Sequence, residues 1–159
     1  MKVPLAAVLF ATLTSAWAQT PFSPLPSSCG PNNASFNVRL DKSQHSLTEP
    51  DAGKARVYFI RDSDSANSQP MMLGIDGAWA GAIRENSYFS VTISPGEHHI
   101  CAALPYYREE KSAVLAHFQA EAGRTYFYLT RYLELGPVDS DEGKYLIASY
   151  LLSVSRPKD

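Results

Sequence analysis

The stretch YFSVTISPGEHHIC, residues 88–101, contains two runs of strand-forming residues with a turn signal between them. The first run alternates apolar and polar side chains from Tyr88 to Ile93, which is typical of a half-buried β-strand. Pro95-Gly96 favours a tight turn, because proline fixes φ and glycine accepts positive φ. We therefore expect Glu97–Leu104 to return as the hairpin partner of Tyr88–Ile93.

Similar strand-like runs recur at short intervals from residue 54 onward. The tyrosine-rich run TYFYLTRYLEL, residues 125–135, is read as a single strand, and Asp76-Gly77 favours a tight hairpin turn. The other expected strands are 54–62, 70–75, 78–83 and 113–120. Residues 36–50 are either a short strand or a tethered loop. Regularly spaced short strands predict a mainly β chain, either an antiparallel β-sandwich of immunoglobulin or transthyretin type or a partly closed barrel.

The C-terminal part has a different pattern. Apolar residues recur at helical spacing within Val138–Tyr150, and Asp139 or Ser140 is suited to cap the first turn. Gly143 weakens a helix there. We expect a short amphipathic C-terminal helix and, at 151–154, a final short strand.

The N-terminal residues resemble an export signal. Lys2 precedes the apolar run 5–13, and the small residues at 16 and 18 predict a cut between Ala18 and Gln19. The alternative is an uncleaved anchor. We expect a signal peptide at 1–18, a proline-rich extended arm at 19–52 and a β-sandwich domain at 53–155. The predicted location is therefore periplasmic or secreted.

The chain has two cysteines, Cys29 and Cys101. An even count in an exported chain favours a disulfide between them, whereas two free thiols or a shared metal are the alternatives. A loop of this length would stabilise the fold by ~4 kcal/mol in the chain-entropy account.

Several phrases in a fixed order carry a family resemblance: KARVYFIRD, LGIDGAWAGAI, SYFSVTISPGEHHICA, AEAGRTYFY and DSDEGKYLIAS. This set resembles the domain of unknown function 2846, found in exported bacterial proteins and lipoproteins, over roughly 53–155. It is also similar to PEGA-type and carboxypeptidase-regulatory-like β-sandwiches. The resemblance implies a β-sandwich and an exported location, and it brings no catalytic residues to this chain.

The histidines beside the Pro-Gly turn are candidate metal ligands. His98 and His99 are consecutive, so in a strand they point to opposite faces. On one face the strand offers only His99 with Cys101, fewer than the three or four protein ligands that zinc normally takes. We therefore predict no metal site and no cofactor. The acidic run 139–143 resembles the start of a calcium loop, but Gly143 replaces the third ligand, so helix capping explains it better.

No nucleophile or acid–base motif occurs, so we predict no catalytic residue. The aromatic content instead favours a binding surface, for which the candidates are Trp79, Tyr106, Tyr107 and His99. Packing of many of the tyrosines in the core is the alternative. With 14 Lys and Arg against 16 Asp and Glu, the chain carries a net charge of −2, which argues against nucleic acid as a partner.

The functional hypothesis is a non-catalytic module of the bacterial cell envelope that binds or supports a protein or a surface polymer such as a glycan. The alternative is a hydrolase acting on envelope material, which requires two convergent carboxylates or a Ser–His pair in a cleft. A third hypothesis is edge-strand assembly through an unpaired run at Tyr126–Leu133. We expect no membrane span beyond the signal, and the sequence does not indicate an oligomeric state.

Overall fold

The described part of the chain contains ten strands and one helix, and the strands form two β-sheets. The structure is a computed structural model that describes residues 26–43, 47–64, 69–104 and 113–158. The strands are β1 Phe36–Asp41, β2 Ala55–Arg61, β3 Met71–Ile75, β4 Ala78–Ile83, β5 Ser87–Ile93, β6 Gly96–Ala103, β7 Ala113–Ala120, β8 Thr125–Arg131, β9 Glu134–Val138 and β10 Leu151–Pro157, with helix α1 Ser140–Ser149 between β9 and β10.

The larger sheet has the order β1-β10-β5-β2-β8-β9, and the smaller has the order β4-β3-β6-β7. Most neighbouring strands are antiparallel, but β10 with β5 and β2 with β8 are parallel, so the larger sheet is mixed. This confirms a mainly β, sandwich-like fold with a short C-terminal helix. The immunoglobulin or transthyretin type stays a prediction.

Strand alternation divides the buried side chains between two layers. Between the sheets lie residues such as Val57, Phe59 and Tyr128, packed against side chains of β3 and β6. On the other face of the larger sheet, Tyr58 and Phe127 are covered by α1. The central strands are therefore buried on both faces. Their tyrosines at 58, 88 and 128 belong to the core, as the packing alternative predicted.

The hairpin predicted across Pro95-Gly96 is wrong. The two strands belong to different sheets, since β5 pairs with β2 and β10 whereas β6 pairs with β3 and β7. The turn is therefore a connection between sheets. Alternation and turn chemistry locate two strands and the turn, but they do not say which strand each will pair with.

The run at 125–135 is also not one strand. Tyr132 has φ 54°, and the chain turns there so that β9 pairs back onto β8. Strand β8 thus has β2 on one side and β9 on the other, so it is not an edge. The condition on which the edge-assembly hypothesis depended is not met.

The first and the last of the described strands both belong to the larger sheet. Of the alternatives for 36–50, residues 36–41 form strand β1, which pairs with β10. Asp139 caps α1, because its Oδ1 accepts the backbone N–H groups of Asp141 and Glu142 at 2.9 Å each. The capping interpretation of the acidic run is thereby supported. In the described part of the chain, no helix has the length and apolar character needed to cross a membrane.

Candidate functional site

Residues 26–34 run over the outer face of the smaller sheet and are attached there by the disulfide. Cys29 and Cys101 are bonded, fully buried and 5.0 Å apart at their Cα atoms, which confirms the predicted pairing. The backbone N–H of Gly77 donates to Ser28 O at 3.1 Å. At Gly74 a Cβ would lie 2.9 Å from the carbonyl oxygen of Cys29, so the close approach of the two backbones requires glycine there.

Trp79, a predicted surface residue, belongs to this attachment. Its indole lies over Gly30, and its Nε1 donates to Pro31 O at 2.9 Å. The half-buried ring therefore holds the N-terminal segment, and a role of Trp79 in binding stays a prediction. Tyr106 and Tyr107, like the predicted signal peptide at 1–18, lie outside the described residues.

Asp76 and His98 form a second fixed pair at the end of the smaller sheet. His98 Nδ1 lies 2.6 Å from Asp76 Oδ2, and His98 Nε2 lies 2.8 Å from Ser94 O. Asp76 Oδ1 accepts the backbone N–H of His99 at 2.8 Å. Burial raises the pKa of Asp76, but these hydrogen bonds and the two nearby histidines outweigh it, so the pKa lies below its ordinary value.

A third polar cluster joins α1 to the ends of β2 and β8. Arg131 Nε lies 2.9 Å from Asp62 Oδ2, and its Nη2 lies 3.5 Å from Glu142. The Tyr150 hydroxyl donates to Asp62 Oδ1 at 2.9 Å. Burial, and then the hydrogen bond to this carboxylate, raise the pKa of Tyr150 to about 12. Each of these groups has a protein partner, so the cluster holds the helix against the sheet.

A groove with a volume of about 570 Å³ lies between the edges of the two sheets. We call it the β1–β4 groove. Its floor contains Met72 and Ala82, and Arg84 and Lys158 stand at its rim. Its described lining is completed by Ser35, Phe36, Asn37, Val38, Gln69 and Pro70.

The groove is positively charged, unlike the chain as a whole. Its described lining includes two cations and no carboxylate, although the chain as a whole is acidic. Neither Arg84 nor Lys158 forms an ion pair with another described residue. Two more cations, Arg39 and Arg156, line a smaller hollow of about 250 Å³ formed by β1 and β10.

The wall of the groove includes a strand edge. Lys158 N–H donates to Ser35 O at 2.9 Å, so Ser35 directs its carbonyl toward the β10 side. Polar backbone groups alternate in direction along an antiparallel strand, so Phe36 and Val38 direct theirs away from β10. Both residues line the groove. The groove therefore offers backbone donors and acceptors beside two positive charges.

The comparisons with known proteins identify a family. The family described as "Protein of unknown function (DUF2846)" matches residues 51–143. The chain belongs to the DUF2846 family. Within this member the matched region runs from before β2 into α1, so β1, β10 and Cys29 lie outside it. Searches of curated proteins and of solved structures found no match for this chain.

The groove of this DUF2846 protein lies where the matched region meets the flanking strands. Met72, Ala82 and Arg84 come from within the match, whereas Ser35 to Val38 and Lys158 come from outside it. Sequence reasoning missed this site because its parts are far apart in the chain. The only local signal was the alternation at Phe36, Val38 and Leu40, which indicated a strand without showing its partner.

Proposed function

We propose that this DUF2846 protein is an exported, non-catalytic module of the bacterial cell envelope that binds an extended acidic segment of a partner protein. The β1–β4 groove is the binding site in this proposal. The observation that carries it is the pair of cations Arg84 and Lys158, which have no ion-pair partner among the described residues and lie beside the outward-facing edge of β1.

The edge of β1 favours a peptide over a surface polymer. An extended peptide can donate to and accept from a strand edge at regular intervals, and neighbouring pockets then select its side chains. A groove of about 570 Å³ accommodates a few residues. The apolar floor at Met72 and Ala82 suits aliphatic side chains, and the rim cations suit carboxylates.

The disulfide supports the exported location, because such bonds persist mainly outside reducing compartments. The division into signal peptide, arm and domain is part of the same proposal. The hydrolase alternative receives no support at this groove, since its described lining holds neither a carboxylate nor a histidine.

Selection from a random peptide library on the immobilised, oxidised protein tests the proposal. We expect the recovered peptides to be enriched in Asp and Glu and to lose at least about ten-fold in affinity with the Arg84→Glu/Lys158→Glu variant. NMR shifts on binding should centre on the amides of Phe36 and Val38.

Lys144→Glu is the matched charge control. Lys144 is exposed on α1 and does not line the groove, so changing its charge should leave peptide affinity within about two-fold. Selected peptides without acidic enrichment, or equal losses with Lys144→Glu, would overturn the proposal.

A further inference from the structure

Two histidines from neighbouring strands share one exposed face, away from the β1–β4 groove. His99 of β6 is directly opposite His117 of β7, and their ring centroids are 6.2 Å apart with 32° between the ring planes. Sequence spacing along one strand could pair His99 only with Cys101. In the structure, Cys101 is bonded to Cys29, and the partner of His99 is His117 from the adjacent strand.

The backbone brings these two side chains close together. His99 O accepts the N–H of Asp76 at 2.9 Å, and His99 N–H donates to the Asp76 carboxylate. Both backbone groups of His99 thus point toward β3, so His99 and His117 form a non-hydrogen-bonded pair across β6 and β7. Side chains are closer in such pairs than in the hydrogen-bonded kind.

The ring nitrogens of the pair are accessible. The side chain of His99 is 57% exposed, and His117 is exposed as well. Among the described residues, no hydrogen bond engages a ring nitrogen of His99 or His117. His98 differs, because both of its ring nitrogens already have partners at Asp76 and Ser94.

A carboxylate lies on the same face. Glu97 Oε1 is 3.9 Å from His99 Nε2, and Glu97 is 67% exposed. We infer that His99 and His117, with Glu97 beside them, bind an exchangeable divalent transition-metal ion of the imidazole-preferring class, such as Cu²⁺, Ni²⁺ or Zn²⁺.

The geometry of the two histidines suits an exchangeable metal ion. Two nitrogens on one ion, each at about 2.0–2.1 Å, lie about 3–4 Å apart, which the two exposed rings reach by side-chain rotation. No three His, Cys, Asp or Glu side chains already converge as a metal cage in the described part of the chain. Two imidazoles and a mobile carboxylate therefore suit an ion that keeps water in its other positions, not a permanent structural zinc.

Cu²⁺ is the probe, because it binds nitrogen donors most strongly in the divalent series. The oxidised full chain is titrated with Cu²⁺ in glycine buffer, which competes for weak sites, and the complex is examined by electron paramagnetic resonance. We expect one site with imidazole-nitrogen coupling. His99→Gln and His117→Gln should each weaken it by at least about ten-fold.

His98→Gln is the matched control, since it removes a neighbouring imidazole that is already engaged. It should leave Cu²⁺ affinity within about two-fold of the wild-type value. Circular dichroism shows whether each variant is folded. Equal Cu²⁺ binding by the wild-type, His99→Gln and His117→Gln chains, or loss of binding only with His98→Gln, would overturn the inference.

Discussion

Asp76 Oδ2 lies 2.6 Å from His98 Nδ1, and this contact joins the β3–β4 turn to strand β6. The other ring nitrogen of His98 faces the carbonyl of Ser94, which can only accept. Both contacts are satisfied when the ring is protonated and donates twice. A residue of the tight turn thus also fixes a side chain of the neighbouring strand.

Asp76→Asn should destabilise the protein even though it suits the turn. Asp76 and Gly77 both have positive φ, and asparagine accepts that conformation at least as well as aspartate. The variant therefore removes the charge and keeps the turn. We expect a loss of about 1 kcal/mol in the free energy of unfolding at pH 7, limited by the 45% exposure of the Asp76 side chain. Urea unfolding measures it, and a variant as stable as the wild type would contradict this account.

Lowering the pH should remove the stabilisation that the Asp76 carboxylate provides. The pKa of Asp76 is lower in the folded chain than its ordinary value of 3.8, so the unfolded chain binds the proton more readily. The stabilisation is fully present above about pH 4 and is lost as the pH falls through the lower, folded value. The stability difference between wild type and Asp76→Asn should therefore shrink on acidification from pH 5 to pH 2. A difference that stays constant over this range would count against the assignment.

Sequence patterns located the strands well because each strand has its own alternation. Val57 and Tyr58 face opposite layers, as expected from period-two alternation. The Asp76-Gly77 turn and the Asp139 cap were also predictable, because both depend on residues adjacent in the chain.

Pairing between distant segments could not be predicted in the same way. Strands β2 and β8 are parallel neighbours although about 70 residues separate them, and nothing local in either strand specifies the other. The groove could not be predicted for the same reason, because it depends on β1 lying beside β4. The pairing of His99 with His117 depends on the register between β6 and β7, which the sequence does not specify either. The disulfide was the one contact between distant residues that the sequence predicted, because the chain has two cysteines and they can bond with each other.

Tyr150→Phe should change the response to alkaline pH. The pKa of Tyr150 rises from 10.0 to about 12 on folding, so the neutral hydroxyl is favoured in the folded chain. Its contribution is fully present below pH 10 and is lost as the pH rises toward 12. We expect Tyr150→Phe to cost about 1 kcal/mol at pH 8 and less at pH 11. Denaturant unfolding at the two pH values checks this, and a cost that increases with pH would refute it.

Gly143→Ala should destabilise the helix region, although alanine is ordinarily the better helix former. A Cβ at position 143 would overlap the ring of Phe127, which packs against α1. We expect a loss of about 1–3 kcal/mol, typical of overpacking, whereas Lys144→Ala on the exposed side should change stability by less than about 0.5 kcal/mol. Thermal unfolding compares the two. A Gly143→Ala variant more stable than the wild type would show that the close approach to Phe127 is not a constraint.

The Cys29→Ser/Cys101→Ser variant should lose both stability and the attachment of residues 26–34. The disulfide spans 72 residues, for which the chain-entropy account gives ~4 kcal/mol. Trp79 reports the attachment, because its ring covers Gly30 and donates to Pro31. Release of that segment should shift the Trp79 emission to longer wavelength at urea concentrations below global unfolding. The sequence also contains Trp17. In protein that retains Trp17, comparison with the Trp79→Phe variant shows which part of the emission comes from Trp79. An emission shift that appears only together with global unfolding would show that the arm stays bound without the disulfide.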